Sequence, residues 1–224
     1  MRTAEIRKTY NGREVLHMEP MDIVPGRIYA IIGANGSGKS TFLKILAGMI
    51  SADGGTVPFE GEKPEVSYLP QKPYVFRMST GKNILLGGAD RKQAEYLMTG
   101  LQLKELENEK ATGLSGGEAA RMSLARVLMT DCGLLLLDEP SAAMDMDSSL
   151  RAERMIREYA DRTGAAVILV THSLGQAMRL ADEAVFMHEG TLCEKGPTEK
   201  LLLDPEDERT RAFLDFSEVK EYGR

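Results

Sequence analysis

Residues Gly33-Ala34-Asn35-Gly36-Ser37-Gly38-Lys39-Ser40 read G-x-x-x-x-G-K-S, placed directly after the apolar run Ile28–Ile32 and before Thr41–Ala47, which has helical character. A strand, a glycine-rich turn and a helix start form the context in which such a loop cradles phosphate. Glycines let the chain curl so that successive N–H groups point inward, and the helix dipole aims its positive end at the same anion. Gly33, Asn35, Gly36, Ser37, Gly38, Lys39, Ser40 and Thr41 are therefore the expected phosphate-holding set of a nucleoside triphosphate site. Lys39 would reach the β- and γ-phosphates and Ser40 would ligate Mg²⁺.

Two further segments carry chemistry. Leu134–Leu137 is a fully apolar run that ends in Asp138 and Glu139. Beside a phosphate loop, such a strand delivers one carboxylate to Mg²⁺, assigned to Asp138. The next acid points elsewhere and can take a proton from an attacking water, a role assigned to Glu139. Two acids that merely end a buried strand are the plainer alternative. In Leu114-Ser115-Gly116-Gly117-Glu118, a hydroxyl and free N–H groups at a helix start offer a second anion site.

The elements that must position these groups alternate in type. Thr3–Tyr10 and Arg13–Leu16 flank Asn11-Gly12, a two-residue hairpin signal, and another strand is expected around Met21–Val24. Strands follow at Ile28–Ile32, Glu65–Leu69, Leu134–Leu137 and Ala165–Val170. A short terminal hairpin is expected from Ala184–His188 and Leu192–Lys195. Helical stretches are read over Met78–Glu109 (with turn signals at Gly87-Gly88 and Gly100), Ser115–Met129, Met146–Arg162, Leu174–Leu180 and beyond Pro197. This alternation predicts an α/β fold on a mostly parallel sheet with a small N-terminal antiparallel β piece, which together with the phosphate loop resembles a P-loop NTPase core.

Composition narrows the function classes. The 224 residues carry a net charge of −6, which opposes a nucleic-acid-binding face spread over the surface. Two cysteines, Cys132 and Cys193, cannot form a disulfide framework and are read as small buried apolar residues. The N-terminus lacks an apolar stretch of signal-peptide type, and the apolar runs are far shorter than a membrane span, so membrane association is expected to go through a partner. The thirteen methionines suit adaptable core packing.

In combination, the phosphate loop, the Asp138-Glu139 strand and Leu114–Glu118 resemble the nucleotide-binding subunits of ABC transporters, from about Glu5 to Gly196. That resemblance implies the ABC ATPase fold for residues 1–224 as one domain, with a compact helical lobe at about 73–130 inserted in the P-loop core. It implies ATP and Mg²⁺ as cofactors and further site residues. Gln71 matches the glutamine that contacts Mg²⁺ and the lytic water. Ser115, Gly116 and Gly117 match the signature that serves ATP on the opposite subunit. Asp145, in Ser141–Asp145, matches the D-loop; His172 matches the switch histidine at the γ-phosphate; Tyr10 matches the aromatic that stacks on adenine. Taken alone, Tyr10 reads as surface packing and His172 as a capping or core histidine. Departures from the family pattern are Ala120 in place of glutamine, Met144 in place of leucine, and shortened spacings from Lys39 to Gln71 and from Gln71 to Ser115.

The implied partners are membrane-spanning transporter subunits, a second copy of the chain closing as a homodimer on ATP, a substrate-binding protein within the complex, and no nucleic acid. The implied place is the cytoplasmic face of the membrane, as a peripheral subunit. Docking is expected between Gln71 and about Gly88, centred on Pro73-Tyr74-Val75-Phe76, with packing inside the helical lobe as the alternative for these apolar residues. Gln71–Ser79 is similar to the matching stretch of importer ATPases for oxyanions such as tungstate, molybdate or phosphate. Drug and lipid exporters share the catalytic motifs, so the cargo stays open between these classes, and a non-transport ABC ATPase acting on DNA or ribosomes is the further alternative.

Overall fold

A computed structural model describes residues 1–55, 58–72 and 74–217. Its main sheet has eight strands, in the order β2 (Ile6–Tyr10), β3 (Arg13–Met18), β10 (Thr191–Pro197), β9 (Glu183–His188), β4 (Ile28–Ile32), β8 (Ala166–Val170), β7 (Leu134–Asp138) and β6 (Val66–Leu69). From β9 to β6 every neighbouring pair is parallel. The β2–β3 hairpin turns at Asn11-Gly12, where both residues have positive φ as a tight two-residue turn requires. Rather than standing apart, this antiparallel piece joins the sheet where β3 runs beside β10. The expected C-terminal hairpin is likewise part of the sheet, with β9 hydrogen-bonded to both β10 and β4.

Central strands are apolar throughout because both their faces are covered. In β4, Ile28, Ala30 and Ile32 face one core while Tyr29 and Ile31 face the other. The first core is closed by α4 (Gly116–Leu128), α5 (Met146–Thr163) and α6 (Leu174–Leu180), the second by α1 (Lys39–Leu46) and the N-terminal strands. The stretch read as helical over Met78–Glu109 is broken into α2 (Thr80–Leu85) and α3 (Arg91–Gly100). Asp90 caps α3, so the chain restarts its helix there rather than running on. Buried Asn83 clamps the preceding segment: its Oδ1 accepts from the Phe76 amide at 3.0 Å and its Nδ2 donates to the Phe76 carbonyl at 3.1 Å.

Two expected strands are corrected. Thr3–Tyr10 is split, and its first part forms β1 (Arg2–Thr3), paired with β5 (Phe59–Glu60) in a separate two-stranded sheet. Met21–Val24 forms an isolated antiparallel bridge, Asp22 to Arg2, rather than a strand: Met21 and Ile23 are buried in alternation, with the Met21 amide donating to Thr3 Oγ1 and the Ile23 amide to the Met1 carbonyl. Beyond Pro197 the chain forms α7 (Thr198–Leu203) and α8 (Glu208–Phe216), and the last part of the expected tail helix, residues 218–224, lies outside the described residues. Cys132 is buried with its sulfur 3.1 Å from the Tyr159 hydroxyl, whereas Cys193 is half-buried rather than fully enclosed.

Candidate nucleotide site

The parallel strands β4, β8, β7 and β6 lie side by side, so their C-terminal ends bring four loops to one edge of the sheet. These carry Gly33–Lys39, His172, Asp138-Glu139 and Gln71 respectively. A crevice outside the carboxyl ends of parallel strands is where this class of sheet binds ligands.

The phosphate loop is shaped by close backbone approach. Gly33 has φ +146°, and a Cβ there would stand 2.2 Å from the Met187 carbonyl oxygen of β9. Only glycine fits. Gly38 precedes α1 in the left-handed region, which turns the chain from loop to helix. Lys39 is buried, and its ammonium donates to the carbonyls of Gly33 and Ala34 at 2.8 Å each. Burial pushes its pKa down, while the nearby Glu139 and Asp138 carboxylates oppose that shift. Ser37 is buried within the loop, Asn35 and Gly36 lie on its exposed side, and Thr41 is half-buried in the first turn of α1.

Asp138 ends β7 almost fully buried. It accepts a hydrogen bond from Ser40 Oγ at 3.0 Å and one from the Tyr68 hydroxyl at 3.3 Å. Hard oxygen donors, one carboxylate beside one hydroxyl at a phosphate loop, fit Mg²⁺, which binds through one or two carboxylates with phosphates and water completing its shell. Burial and the Asp138 charge both push the Tyr68 phenol well up, so Tyr68 remains a donor at neutral pH. Nothing in the motifs points to Tyr68; its role is visible only because β6 and β7 pair in register, Tyr68 opposite Leu136.

Glu139 leaves the strand with φ +53°, a left-handed conformation for a residue with a side chain. Its amide donates to the Val170 carbonyl at 3.0 Å, which anchors this turn to β8. Beyond that turn, His172 Nε2 stands 2.6 Å from Glu139 Oε1. Strain of this kind persists where surrounding structure enforces it, commonly at sites of function. The structure thus brings together Lys39, Ser40, Asp138, Glu139 and His172.

Gln71, Ser115, Gly116, Gly117, Asp145 and Tyr10 lie around this centre. Exposed Gln71 shares a cavity of about 280 Å³ with Glu139 and Gly116. Ser115 caps α4 in a reciprocal pair with Glu118: its amide donates to Glu118 Oε2 at 2.7 Å, and its Oγ accepts from the Glu118 amide at 3.4 Å. The Ser115 hydroxyl and the Ser115 amide, both facing the Glu118 carboxylate, hold that carboxyl below its usual range. Among the described residues, Ser115 makes no hydrogen bond to the phosphate loop of its own chain. Gly117 lies under the backbone at Ala143, where a Cβ would be 3.0 Å from the carbonyl oxygen. Asp145 caps α5, accepting from the Ser148 amide at 2.8 Å, which keeps its carboxyl low. Tyr10 is exposed at the end of β2 with the Lys8 ammonium 5.4 Å from its ring centre.

The segment after Gln71 is an exposed aromatic surface, not core. Tyr74 is 67% and Phe76 38% exposed, and their rings meet edge to face at 4.7 Å, while Val75 packs inward. Pro73, placed at the centre of this segment by sequence, lies outside the described residues. From α4, Arg126 donates to the Tyr74 carbonyl at 2.8 Å and sets its guanidinium 5.2 Å from the Phe76 ring centre. Sequence reading missed both Arg126 and Asn83, since neither belongs to a contiguous motif.

Residues 16–142 match the sequence model of the ABC transporter family. The chain is 35% identical to the tungstate uptake system ATP-binding protein TupC of Peptoclostridium acidaminophilum over 204 residues, covering 85% of this chain and 95% of that one. It is also 35% identical to the aliphatic sulfonates import ATP-binding protein SsuB 1 of Streptomyces avermitilis, over 96% of this chain and 84% of the relative. A solved structure of an ATP-binding subunit of an ABC transporter superposes with a TM-score of 0.80 over 98% of both chains, a likeness of fold at 20% identity. Among the described residues no helix is long and apolar enough to cross a membrane. A family model that matches more than half of the chain, and relatives 35% identical over most of its length, show that this chain belongs to the ATP-binding subunits of ABC transporters and is an ATPase of that family.

Proposed function

We propose that residues 1–224 act as one ABC ATPase domain, with the lobe at about 73–130 inserted, that drives import of an anion through membrane-spanning partners. The observation that carries the catalytic reading is the Glu139–His172 contact of 2.6 Å beside the Ser40–Asp138 pair at 3.0 Å. Glu139 accepts the proton of the attacking water, and His172 holds the Glu139 carboxylate toward the γ-phosphate. Lys39 and the loop N–H groups of Gly33, Asn35, Gly36, Ser37, Gly38, Ser40 and Thr41 hold the phosphates. Tyr10 stacks on adenine, and Gln71 orients the water. Ser40, Asp138 and Gln71 would hold Mg²⁺, which would offset the negative charge that develops on the transferring phosphoryl group. Catalysis is then positioning and charge stabilisation.

Ser115, Gly116, Gly117 and Asp145 serve a second copy. With Ser115 engaged in the cap of its own α4, its remaining hydrogen-bonding capacity and the free N–H groups of that helix start suit a phosphate brought by the partner. Two copies sandwich two ATP molecules, and closure and reopening form the power stroke. The exposed Tyr74–Phe76 pair is the docking surface for a short helix of the membrane subunit, and the chain acts as a peripheral subunit at the cytoplasmic face of the membrane.

Support for an anion as cargo comes from the two import systems named above, one for tungstate and one for aliphatic sulfonates. The test is ATPase activity of the complex reconstituted in lipid with its substrate-binding protein. Activity is expected to rise when that protein is loaded with tungstate, molybdate or phosphate. Stimulation by a hydrophobic drug or lipid, with no response to any loaded binding protein, contradicts the importer reading.

A further inference from the structure

The turn that aims Glu139 continues into Ser141–Asp145, and one buried side chain ties this stretch to the segment that follows His172. Helix α6 begins just after His172, with Ser173 as its cap accepting from the Gln176 amide at 3.1 Å. Gln176 is 2% exposed, and its Nε2 donates to Ser141 Oγ at 2.9 Å. Within the Ser141 turn, the Ala142 amide donates to the Glu139 carbonyl at 3.3 Å and the Met144 amide to the Ser141 carbonyl at 2.9 Å. The Gln176–Ser141 bond therefore joins two short segments, one leaving Glu139 and one leaving His172. Along α6, Arg179 holds buried Glu153 of α5 with two bonds of 2.8 and 2.7 Å. Glu139, His172, Ser141, Gln176, Glu153 and Arg179 all line one cavity of about 330 Å³.

A buried amide spent on a single serine hydroxyl, with its oxygen sealed from solvent and unpartnered among the described residues, is an expensive way to pack a helix. The Arg179–Glu153 pair already fastens α6 to α5, so the amide is not required for that docking. We infer that Gln176 is a positioning residue: through Ser141 it holds the turn after Glu139 against the helix after His172, keeping the carboxylate and the imidazole in register. This inference rests on the reading of Glu139 as the base.

The test compares Gln176→Met, Ser141→Ala, their double variant and Gln176→Glu in the full-length chain, with kcat and KM for ATP measured beside the melting temperature. Gln176→Met keeps the volume and drops the bond. Ser141→Ala removes the other end. Each is expected to lower kcat roughly five- to tenfold, the effect of one lost hydrogen bond of ordinary strength, with KM unchanged. The double variant is expected to be no slower than either single one, since both remove the same bond. Gln176→Glu keeps an acceptor for the Ser141 hydroxyl but adds a buried carboxylate to a cavity already lined by Glu139 and Glu153, with Arg179 engaged by Glu153, so it is expected to recover no more than part of the lost rate. Multiplying losses in the double variant, or a kcat within twofold of wild type for Ser141→Ala, overturns the inference; the second arm stands even where Gln176→Met fails to fold. If Glu139→Gln is inactive while both bond-breaking variants keep full turnover, only the positioning role fails. If Glu139→Gln turns over normally, the base assignment fails with it.

Discussion

Replacing Glu139 with glutamine isolates the chemistry from the architecture. The side chain keeps its shape, and the backbone keeps its amide bond to the Val170 carbonyl. The new amide can still hydrogen-bond to His172, which stands 2.6 Å from the wild-type carboxylate. Because the φ of +53° is unchanged by an isosteric side chain, no new strain is introduced, and the melting temperature is expected to stay within about 2 °C. Asp138, with its bonds to Ser40 and Tyr68, is untouched, so the ATP affinity is expected to stay within about threefold. What disappears is the proton acceptor. A positioned general base contributes typically 10²- to 10⁴-fold, so the barrier should rise by about 3–5 kcal/mol and kcat should fall by the same factor. Phosphate release measured on the purified chain, with Lys39→Ala as the background control, reads this directly. Turnover within twofold of wild type would refute the assignment and move the base elsewhere.

Gly33→Ala forces a Cβ to within 2.2 Å of the Met187 carbonyl oxygen; a cost of about 1–3 kcal/mol and a loss of about 2–12 °C in melting temperature are expected, together with weaker ATP binding. Tyr68→Phe removes a donor to Asp138 while leaving the ring in place, so the Mg²⁺ concentration for half-maximal ATPase is expected to rise several-fold, with folding intact by circular dichroism. Tyr74→Ala with Phe76→Ala is expected to abolish capture of the membrane subunit while the isolated chain still hydrolyses ATP, because both rings are exposed. Arg126→Met removes the bond to the Tyr74 carbonyl and the contact with Phe76, so a milder loss of the same association is expected, read by co-purification from detergent.

Contiguous chemistry was legible in the sequence because the backbone itself builds it. The loop Gly33–Ser40 needs only a strand before it and a helix after it, and Asp138-Glu139 needs only the end of a buried strand. Parallel strands could be read from runs such as Leu134–Leu137, since a run of this length between turn signals suits a strand covered on both faces, as Leu135 and Leu137 on one core and Leu134 and Leu136 on the other bear out. Contacts between distant segments were not legible. Tyr68 meets Asp138 across 70 positions, and Arg126 meets Tyr74 across 52, with no spacing rule to announce either. Two-residue strands such as β1 and β5 are too short to show a period. Met21–Val24 has the alternation of a strand, and its side chains obey it, yet its backbone makes one isolated bridge to Arg2 instead of a ladder. Gln176 reads as an ordinary helix residue until its bond to Ser141 is seen.

The central claim is that two copies close on ATP, each completing the other's site through Ser115. Sedimentation of Glu139→Gln with and without Mg-ATP tests it most directly, because blocked hydrolysis traps the closed state. The account predicts a monomer without nucleotide, a dimer with Mg-ATP, and a monomer under both conditions once Ser115→Arg is added, with ATP still bound to each chain. A chain that stays monomeric with ATP bound, or a Ser115→Arg variant that dimerises as readily, contradicts it.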